Sequence, residues 1–315
     1  MQNGTMMRVT ASPHIRDAGT TQSIMWDVIC ALIPAGAFGV YYFGYRAALI
    51  IGIACAAAVL SELLYNHITH KRQTISDCSA IVTGLLLAYN LPASVPLWMP
   101  AVGSAIAILL IKMIFGGLGH NFANPALAAR AILTTSWAGH MSGSAFNVAV
   151  RGLDAATAAT PLVQEYTLFQ LFVGQAPGCI GEVSKIAILV GAGYLLVRKV
   201  ITWHIPVVML GTVFVLNWIT SGTLVGSIDS AVYQLLSGGL ILAACFMATD
   251  YATAPISAWG KVIFAFGCGL VAYVIRLLSP MAEGVSYSIL FMNLIVPLID
   301  RFVKPRVYGE GKKHA

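Results

Sequence analysis

Long apolar runs separated by short polar stretches fill the chain between residues 24 and 301. A helix that crosses a membrane needs about 20 mostly apolar residues. Two of the runs are shorter and are interrupted by polar residues and proline, as is typical of spans that line a binding site. The pattern predicts ten transmembrane helices, at 24–43, 46–65, 77–91, 95–114, 125–140, 183–198, 203–220, 231–248, 260–278 and 285–301.

The same pattern predicts an all-α polytopic membrane protein in two halves. The stretch TGLLLAYNLPASVP, 83–96, resembles GGLILAACFMATDYATAP, 238–255, because each is a Gly- and Leu-rich half-span that runs into a polar turn ending in proline. With five spans on each side of a long loop, we expect a five-plus-five inverted repeat. The predicted parts are an N-terminal segment 1–23, a first membrane half 24–140, a loop 141–182, a second membrane half 183–301 and a tail 302–315.

Composition supports a membrane protein and excludes several other classes. Of the 315 residues 58% are hydrophobic and only 10% are charged, whereas soluble domains carry about 25% charged residues. The net charge of +6 does not come from a basic stripe among aromatic residues, so nucleic-acid binding is not expected. The partner that the composition predicts is the lipid bilayer.

The basic residues predict the orientation of the chain. With both termini in the cytoplasm, far more of them fall on the inner side than on the outer side, as the positive-inside rule requires. The loop 141–182 then lies on the outer face. The inner set is Arg8, Arg16, Lys71, Arg72, Lys112, Arg198, Lys199, Lys261, Arg301, Lys304, Arg306, Lys312 and Lys313, and the outer set is Arg46, Arg151 and Arg276.

The cysteines and most acidic residues predict no metal site. The six cysteines lack CxxC spacing, and five of them lie in apolar runs, where they act as small hydrophobic residues. Only Cys179, in the long loop, is left open. Glu62, Asp27, Asp77 and Asp300 lie at the edges of spans, where solvated or helix-capping roles are expected.

A polar, glycine-rich stretch, GGLGHNFANPALAARAIL at 116–133, is a candidate binding segment. Asn124 followed by Pro125 is typical of a helix start. Asn121 lies three residues earlier, and two neutral amides suit a uracil-like edge that both donates and accepts hydrogen bonds. A capped helix after a glycine-rich turn would explain the same residues without a ligand.

Two further polar stretches carry candidate chemistry. In ACFMATDYATAPIS, 244–257, Asp250 follows an apolar run and is a candidate for a solvated, capping or cation-binding carboxylate. In RGLDAATAATPL, 151–162, small residues surround Thr160, which we expect to cap a short amphipathic helix over 161–174. A hydroxyl at a helix start also suits a phosphate group.

The segment DAATAAT, 154–160, resembles the flavin-attachment motif of the NqrB/RnfD family of membrane redox subunits. The resemblance implies that a flavin transferase joins FMN through its phosphate to Thr160, so that Thr160 becomes a phosphorylated threonine. It also implies that Asp154 and Thr157 belong to the recognition motif. Ala158 stands where the family usually has glycine, a change that keeps the site small.

Two other stretches share this resemblance. The segment GGLGHNFANPALAARA is similar to the family's Gly- and Asn-rich stretch, which implies a non-covalent riboflavin at Asn121 and Asn124. The segment FMATD, 246–250, is similar to a block whose acid is implicated in sodium coupling, which makes Asp250 the candidate for the coupling ion.

The resemblance implies a flavin-carrying subunit of an ion-translocating electron transport complex in a bacterial or archaeal cytoplasmic membrane. Such a subunit has a fold like that of urea transporters, works with partner subunits that hold flavins and iron–sulfur clusters, and is not catalytic alone. The short N-terminal segment fits the RnfD branch, of the ferredoxin:NAD oxidoreductase (Rnf) complex, coupled to Na+ or H+. The alternatives are the NqrB branch, of the sodium-pumping NADH:quinone reductase, and a urea-transporter-like channel without redox role.

Overall fold

The computed structural model describes residues 19–141, 166–220, 228–278 and 284–304, and all regular structure within these ranges is helical. A 3-10 turn, Ile75–Asp77, precedes the third helix, and π-helical turns Ala107–Met113 and Ala243–Met247 extend the fourth and eleventh. The helices are α1 (Thr21–Phe43), α2 (Tyr45–Ile68), α3 (Ser79–Tyr89), α4 (Trp98–Ile106), α5 (Pro125–Ser136), α6 (Ala138–Met141), α7 (Leu168–Val173), α8 (Lys185–Val197), α9 (His204–Thr220), α10 (Ile228–Leu236), α11 (Leu240–Leu242), α12 (Ala258–Leu278) and α13 (Gly284–Phe302).

Four of these helices, α1, α2, α12 and α13, are long and apolar enough to cross a membrane. The segment formed by α10, α11 and its π-helical turn is a fifth candidate, bent by 69°. The helices α3, α8 and α9, and α4 with its π-helical turn, are apolar but shorter. The expected all-helical polytopic membrane protein is thus confirmed, whereas ten spans and an inverted repeat stay predictions.

The long helices keep most of their apolar surface on the outside of the protein. In each of the four helices, between 28% and 39% of the apolar 18-residue stretch is buried. Leu60 of α2, Trp259 and Phe266 of α12 and Leu298 of α13 are all exposed. A soluble protein does not expose continuous apolar helix faces of this kind, and lipid chains are the solvent that these faces fit.

The described helices form two groups that meet along α1 and α8. In the first helix group, α2 packs against α3 and α4, and in the second, α9 and α13 pack against α12. Gly191 of α8 makes the contact between the groups close, because a Cβ atom there would lie 2.0 Å from the carbonyl oxygen of Ala31 in α1. Small residues commonly allow such close approach between helices in membranes.

We expect Gly191→Ala to destabilise the protein and Gly193→Ala, on the same helix, to leave it unchanged or slightly more stable. The methyl group at position 191 meets backbone, which cannot rotate away, and overpacking of this kind costs about 1–3 kcal/mol. A Cβ atom at Gly193 meets nothing within 4 Å, and alanine is the better helix former. The measurement is the apparent thermal unfolding midpoint in detergent, and equal midpoints for the two variants would contradict the packing.

Irregular backbone is buried next to the end of α3. Residues 90–93 are buried, and the guanidinium of Arg46 donates to the carbonyl oxygens of Ser94 and Val95, each at 3.1 Å. The amides of Ile180 and Gly181 donate to Leu91 and Tyr89. These bonds satisfy non-helical backbone inside the protein. Part of the predicted outer loop, residues 176–182, is therefore packed into the interior rather than exposed.

Candidate functional site

A cavity lies between the two helix groups and brings together three of the side chains singled out from the sequence. Asn121, Asn124 and Asp250 all line it, although the asparagines and the acid belong to different halves of the chain. Most of the other lining side chains are apolar. The combination of apolar walls and a few polar groups is typical of a ligand-binding cavity.

Asn124 acts first as a structural residue. Its Oδ1 accepts from the amides of Ala126 at 3.0 Å and Leu127 at 3.3 Å, which confirms the predicted cap of α5. Its Nδ2 donates to the carbonyl oxygen of Met247 at 3.2 Å, at the end of a π-helical turn, where carbonyls lose their helical donors. The asparagine therefore ties the start of α5 to the FMATD block.

A second asparagine, Asn293 of α13, holds the backbone at the same point. The side-chain amide of Asn293 is oriented so that both of its neighbours are satisfied. Its oxygen accepts from the backbone N–H of Asn124 at 3.1 Å, and its nitrogen donates to the carbonyl oxygen of Ile289 at 3.3 Å. Most of the hydrogen-bonding capacity of Asn124 is thus used within the protein. The capped-helix interpretation of Asn124 is correct. In a ligand site, Asn124 would contribute by positioning the cavity wall.

Asn121 differs from Asn124 because its carbonyl group is free to receive a ligand. The side chain is 9% exposed, and its Oδ1 atom is buried without a hydrogen-bond partner among the described residues. A buried acceptor that lacks a donor costs free energy, about 1–3 kcal/mol. A ligand with an N–H or O–H group at this wall would remove that cost, so Asn121 is the better candidate of the two for direct recognition.

Asp250 lies in the connection between the π-helical turn and α12. Its Oδ1 accepts from the amide of Ala252 at 3.1 Å and its Oδ2 from the hydroxyl of Thr253 at 3.4 Å. Burial raises the pKa of the Asp250 carboxyl, and the two hydrogen bonds oppose this rise. Within the described ranges no basic side chain pairs with Asp250, so the capping role is present and the carboxylate still faces the cavity.

A buried ion pair at the edge of the cavity was not expected. Lys112 Nζ lies 2.6 Å from Glu62 Oε2 and 2.6 Å from Ser79 Oγ, and Thr74 donates to the other carboxylate oxygen. Lys112 is 2% exposed and Glu62 is not exposed. The prediction that Glu62 is solvated or capping was wrong. Lys112, which was counted in the inner basic set, is buried beside it.

The reason for this error is the π-helical turn. Lys112 lies in Ala107–Met113, where hydrogen bonds to the fifth residue along the chain insert an extra residue per turn and change which side chains face inward. A lone lysine in the apolar run IAILLIKMIF was the available signal, since ionisable residues in spans are rare and usually functional. Its partner lies 50 residues away and could not be chosen from the sequence.

A second buried polar cluster lies beyond the end of α3. Arg130 of α5 donates to Asn90 at 2.8 Å, to Ser286 of α13 at 3.0 Å and to the sulfur of Cys179 at 3.6 Å. The amide of Cys179 donates to the carboxylate of Glu182 at 2.8 Å. Cys179 is therefore a buried member of this cluster, which joins the two helix groups to the buried part of the long loop.

The attachment motif cannot be placed in the same way, since Asp154, Thr157 and Thr160 lie outside the described residues. The helix expected over 161–174 is wrong as a single element. Helix α7 begins at Leu168, because Thr167 and Gln170 form a capping box there. It ends, as expected, at Gly174, which adopts a left-handed conformation with φ of +105°.

Comparison with known proteins gives near-full-length matches. The model of the NQR2, RnfD, RnfE family matches residues 8–309. The D subunit of the Na(+)-translocating ferredoxin:NAD(+) oxidoreductase complex of Acetobacterium woodii is 44% identical, over 97% of this chain and 96% of its own. The D subunit of the proton-translocating ferredoxin:NAD(+) oxidoreductase complex of Clostridium ljungdahlii is 42% identical, over 96% of both chains.

A third relative extends the range of organisms. The D subunit of the ion-translocating oxidoreductase complex of Stutzerimonas stutzeri is 37% identical, over 92% of both chains. The first two relatives are almost equally similar to this chain, yet their names specify different ions. Overall identity therefore does not choose between Na+ and H+.

Proposed function

The chain belongs to the NQR2, RnfD, RnfE family, and we propose that it is the D subunit of an ion-translocating ferredoxin:NAD(+) oxidoreductase complex. The observation that carries this proposal is the match along nearly the whole length of two relatives that bear this name. The same match favours the Rnf complex over the NADH:quinone reductase. On this proposal the chain works with the other subunits of the complex and is not catalytic alone.

We propose that the shorter helices complete a ten-span, five-plus-five inverted repeat. The order of elements supports it. In the first helix group, α3 leads through a proline-containing connection into α4, and α2 packs against both. In the second, α11 leads through a similar connection into α12, and α9 packs against both. The cavity lies where these groups meet, as in other inverted-repeat membrane proteins.

The orientation of the chain follows from its charges. Even without Lys112, which is buried, the basic residues assigned to the inner side far outnumber Arg46, Arg151 and Arg276. The positive-inside rule then favours both termini in the cytoplasm and the loop 141–182 on the outer face of a bacterial or archaeal cytoplasmic membrane. A flavin transferase working outside the membrane would reach Thr160 in that arrangement.

We propose that this cavity binds a non-covalent riboflavin, which would supply one-electron chemistry when bound. The uracil-like edge of the ring system carries an N–H group that could donate to the buried Asn121 oxygen, which has no donor among the described residues. Asn124 fixes the wall through its bonds to Met247 and the start of α5. The apolar side chains around these asparagines exclude water and lower the local dielectric constant.

In the proposed mechanism a cation or proton crosses the membrane as the electron moves, and this ion needs a route near the flavin. Asp250 is the only carboxylate among the described residues that line the cavity. We propose that it holds the coupled cation or proton close to the flavin. A charge that moves across 100 mV changes in free energy by about 2.3 kcal/mol, which a redox step can supply.

The riboflavin assignment is tested by extracting the non-covalent flavin from the purified complex. We expect Asn121→Leu to lower the riboflavin content several-fold, because it removes a side-chain oxygen that has no hydrogen-bond partner among the described residues. The double variant Asn121→Leu/Asn124→Leu should lose nearly all of it. Chromatography of the released flavin against the amount of protein provides the measurement.

The control is Asn217→Leu on α9, where the side-chain amide donates to the Val213 carbonyl oxygen of its own helix. This variant makes a similar change in a membrane helix away from the cavity and should keep its riboflavin. Equal riboflavin in wild type and Asn121→Leu would remove Asn121 from the site. A wild-type complex without extractable flavin would remove the cofactor itself.

A further inference from the structure

The Lys112–Glu62 pair is an oriented dipole at the wall of the cavity. Lys112 and Ser79 line the cavity, whereas Glu62 does not; Glu62 and Lys112 together line a second, more polar pocket. The ammonium group bonds to Ser79 Oγ, and Ser79 belongs to the cavity wall, whereas Glu62 does not. Among the described lining residues, Lys112 is the only basic side chain.

The pair is held firmly in this direction. Ser79 accepts a second hydrogen bond from the ammonium at 2.6 Å, and Asp77 in turn accepts from the Ser79 hydroxyl at 2.6 Å. On the other side Thr74 bonds to the carboxylate and accepts from Asn66 at 3.1 Å. Side chains locked in this way cannot reverse the dipole.

Stability alone is a poor reason for this arrangement. Two charges removed from water lose solvation that their attraction only partly restores, and apolar pairs of similar volume are often as stable. Intramembrane ionisable residues are by default functional candidates, and π-helical turns such as the one that carries Lys112 are frequent at functional sites.

We infer that Lys112, oriented by Glu62, is a positioning residue that stabilises the negative charge placed on the cavity flavin when it accepts an electron. This inference rests on the proposed function. One electron, taken from the preceding carrier or from a chemical reductant, adds one negative charge to the ring. A fixed cation in a low-dielectric site lowers the free energy of that reduced form and so raises the reduction potential.

The test measures the reduction potential of the non-covalent flavin. The full chain is produced without flavin transferase, so that Thr160 carries no FMN, and the flavin absorbance is followed during titration with dithionite. In Lys112→Met/Glu62→Leu, which removes the dipole without leaving a lone buried charge, we expect the reduced-to-oxidised ratio at a fixed potential to fall about tenfold. For a one-electron step this corresponds to about 59 mV.

Three variants separate charge from packing. Lys112→Arg keeps the cation and should stay near wild type. Glu62→Gln keeps the lysine and removes the opposing charge, so that its potential should rise. Thr74→Val removes a hydrogen bond to Glu62 but no charge, and should stay near wild type. If the pair were only structural, the double variant and Glu62→Gln would not shift the reduction potential in opposite directions.

The amount of riboflavin bound by each variant is measured in parallel. Unchanged potential in the double variant with normal flavin content, or a fall in Glu62→Gln, would overturn the inference and leave the proposed function standing. Absence of non-covalent flavin from the wild-type chain would overturn both.

Discussion

Thr160→Val is expected to abolish the flavin fluorescence of the denatured protein on a gel, when the complex is produced with an active flavin transferase. Valine keeps the shape of threonine but has no hydroxyl oxygen, so no phosphoester to FMN can form. The expected effect is complete loss. Illumination of the gel under ultraviolet light, with protein staining of the same lane, is the measurement.

Thr157→Val is the matched control, since it removes a hydroxyl three residues earlier in the same motif. The resemblance assigns Thr157 to recognition and not to attachment, so fluorescence should persist at full or reduced level. A dark wild-type band with active transferase would refute the covalent assignment. Fluorescence that survives Thr160→Val would place the flavin on another residue.

The features that the sequence predicted well are local. The cap at Asn124 and the end of α7 at Gly174 depend on a few neighbouring residues, and both are confirmed. The helical class follows from run length and composition, which a single chain displays directly. The start of α7 was missed because Thr167 and Gln170 form a capping box that competes with the Thr-Pro signal upstream.

The features that the sequence could not show depend on distant parts of the chain. Met247 completes the hydrogen bonding of Asn124 from 123 residues away, and Glu62 pairs with Lys112 from 50 residues away. In both cases a π-helical turn sets the register of one partner, and no simple periodicity reveals such a turn. Asn121, Asn124 and Asp250 were thus identifiable singly, but Lys112 and the contacts that define each role were not.

Lys112→Met is expected to lower the free energy of unfolding by about 3–5 kcal/mol, because it leaves the Glu62 carboxylate buried without its cation. Glu62→Leu alone should cost a similar amount for the converse reason. The double variant Lys112→Met/Glu62→Leu should recover much of the loss, since no buried charge remains and the replacing side chains fill the space. Equilibrium unfolding in mixed detergent micelles, with all variants under the same conditions, measures these differences.

Arg198→Met provides the comparison with an exposed ion pair. Arg198 lies 3.1 Å from Asp27, but its side chain is 52% exposed, so that water replaces the lost partner and little change is expected. If Lys112→Met and Arg198→Met reduced stability equally, burial could not be the cause of the loss. A large loss at Lys112 that the second substitution reverses would instead mean that the buried pair is stable only as a pair. The chain would then tolerate removal of the whole Lys112–Glu62 pair. Because stability would not require the two charges, their presence would point to an electrostatic role at the cavity.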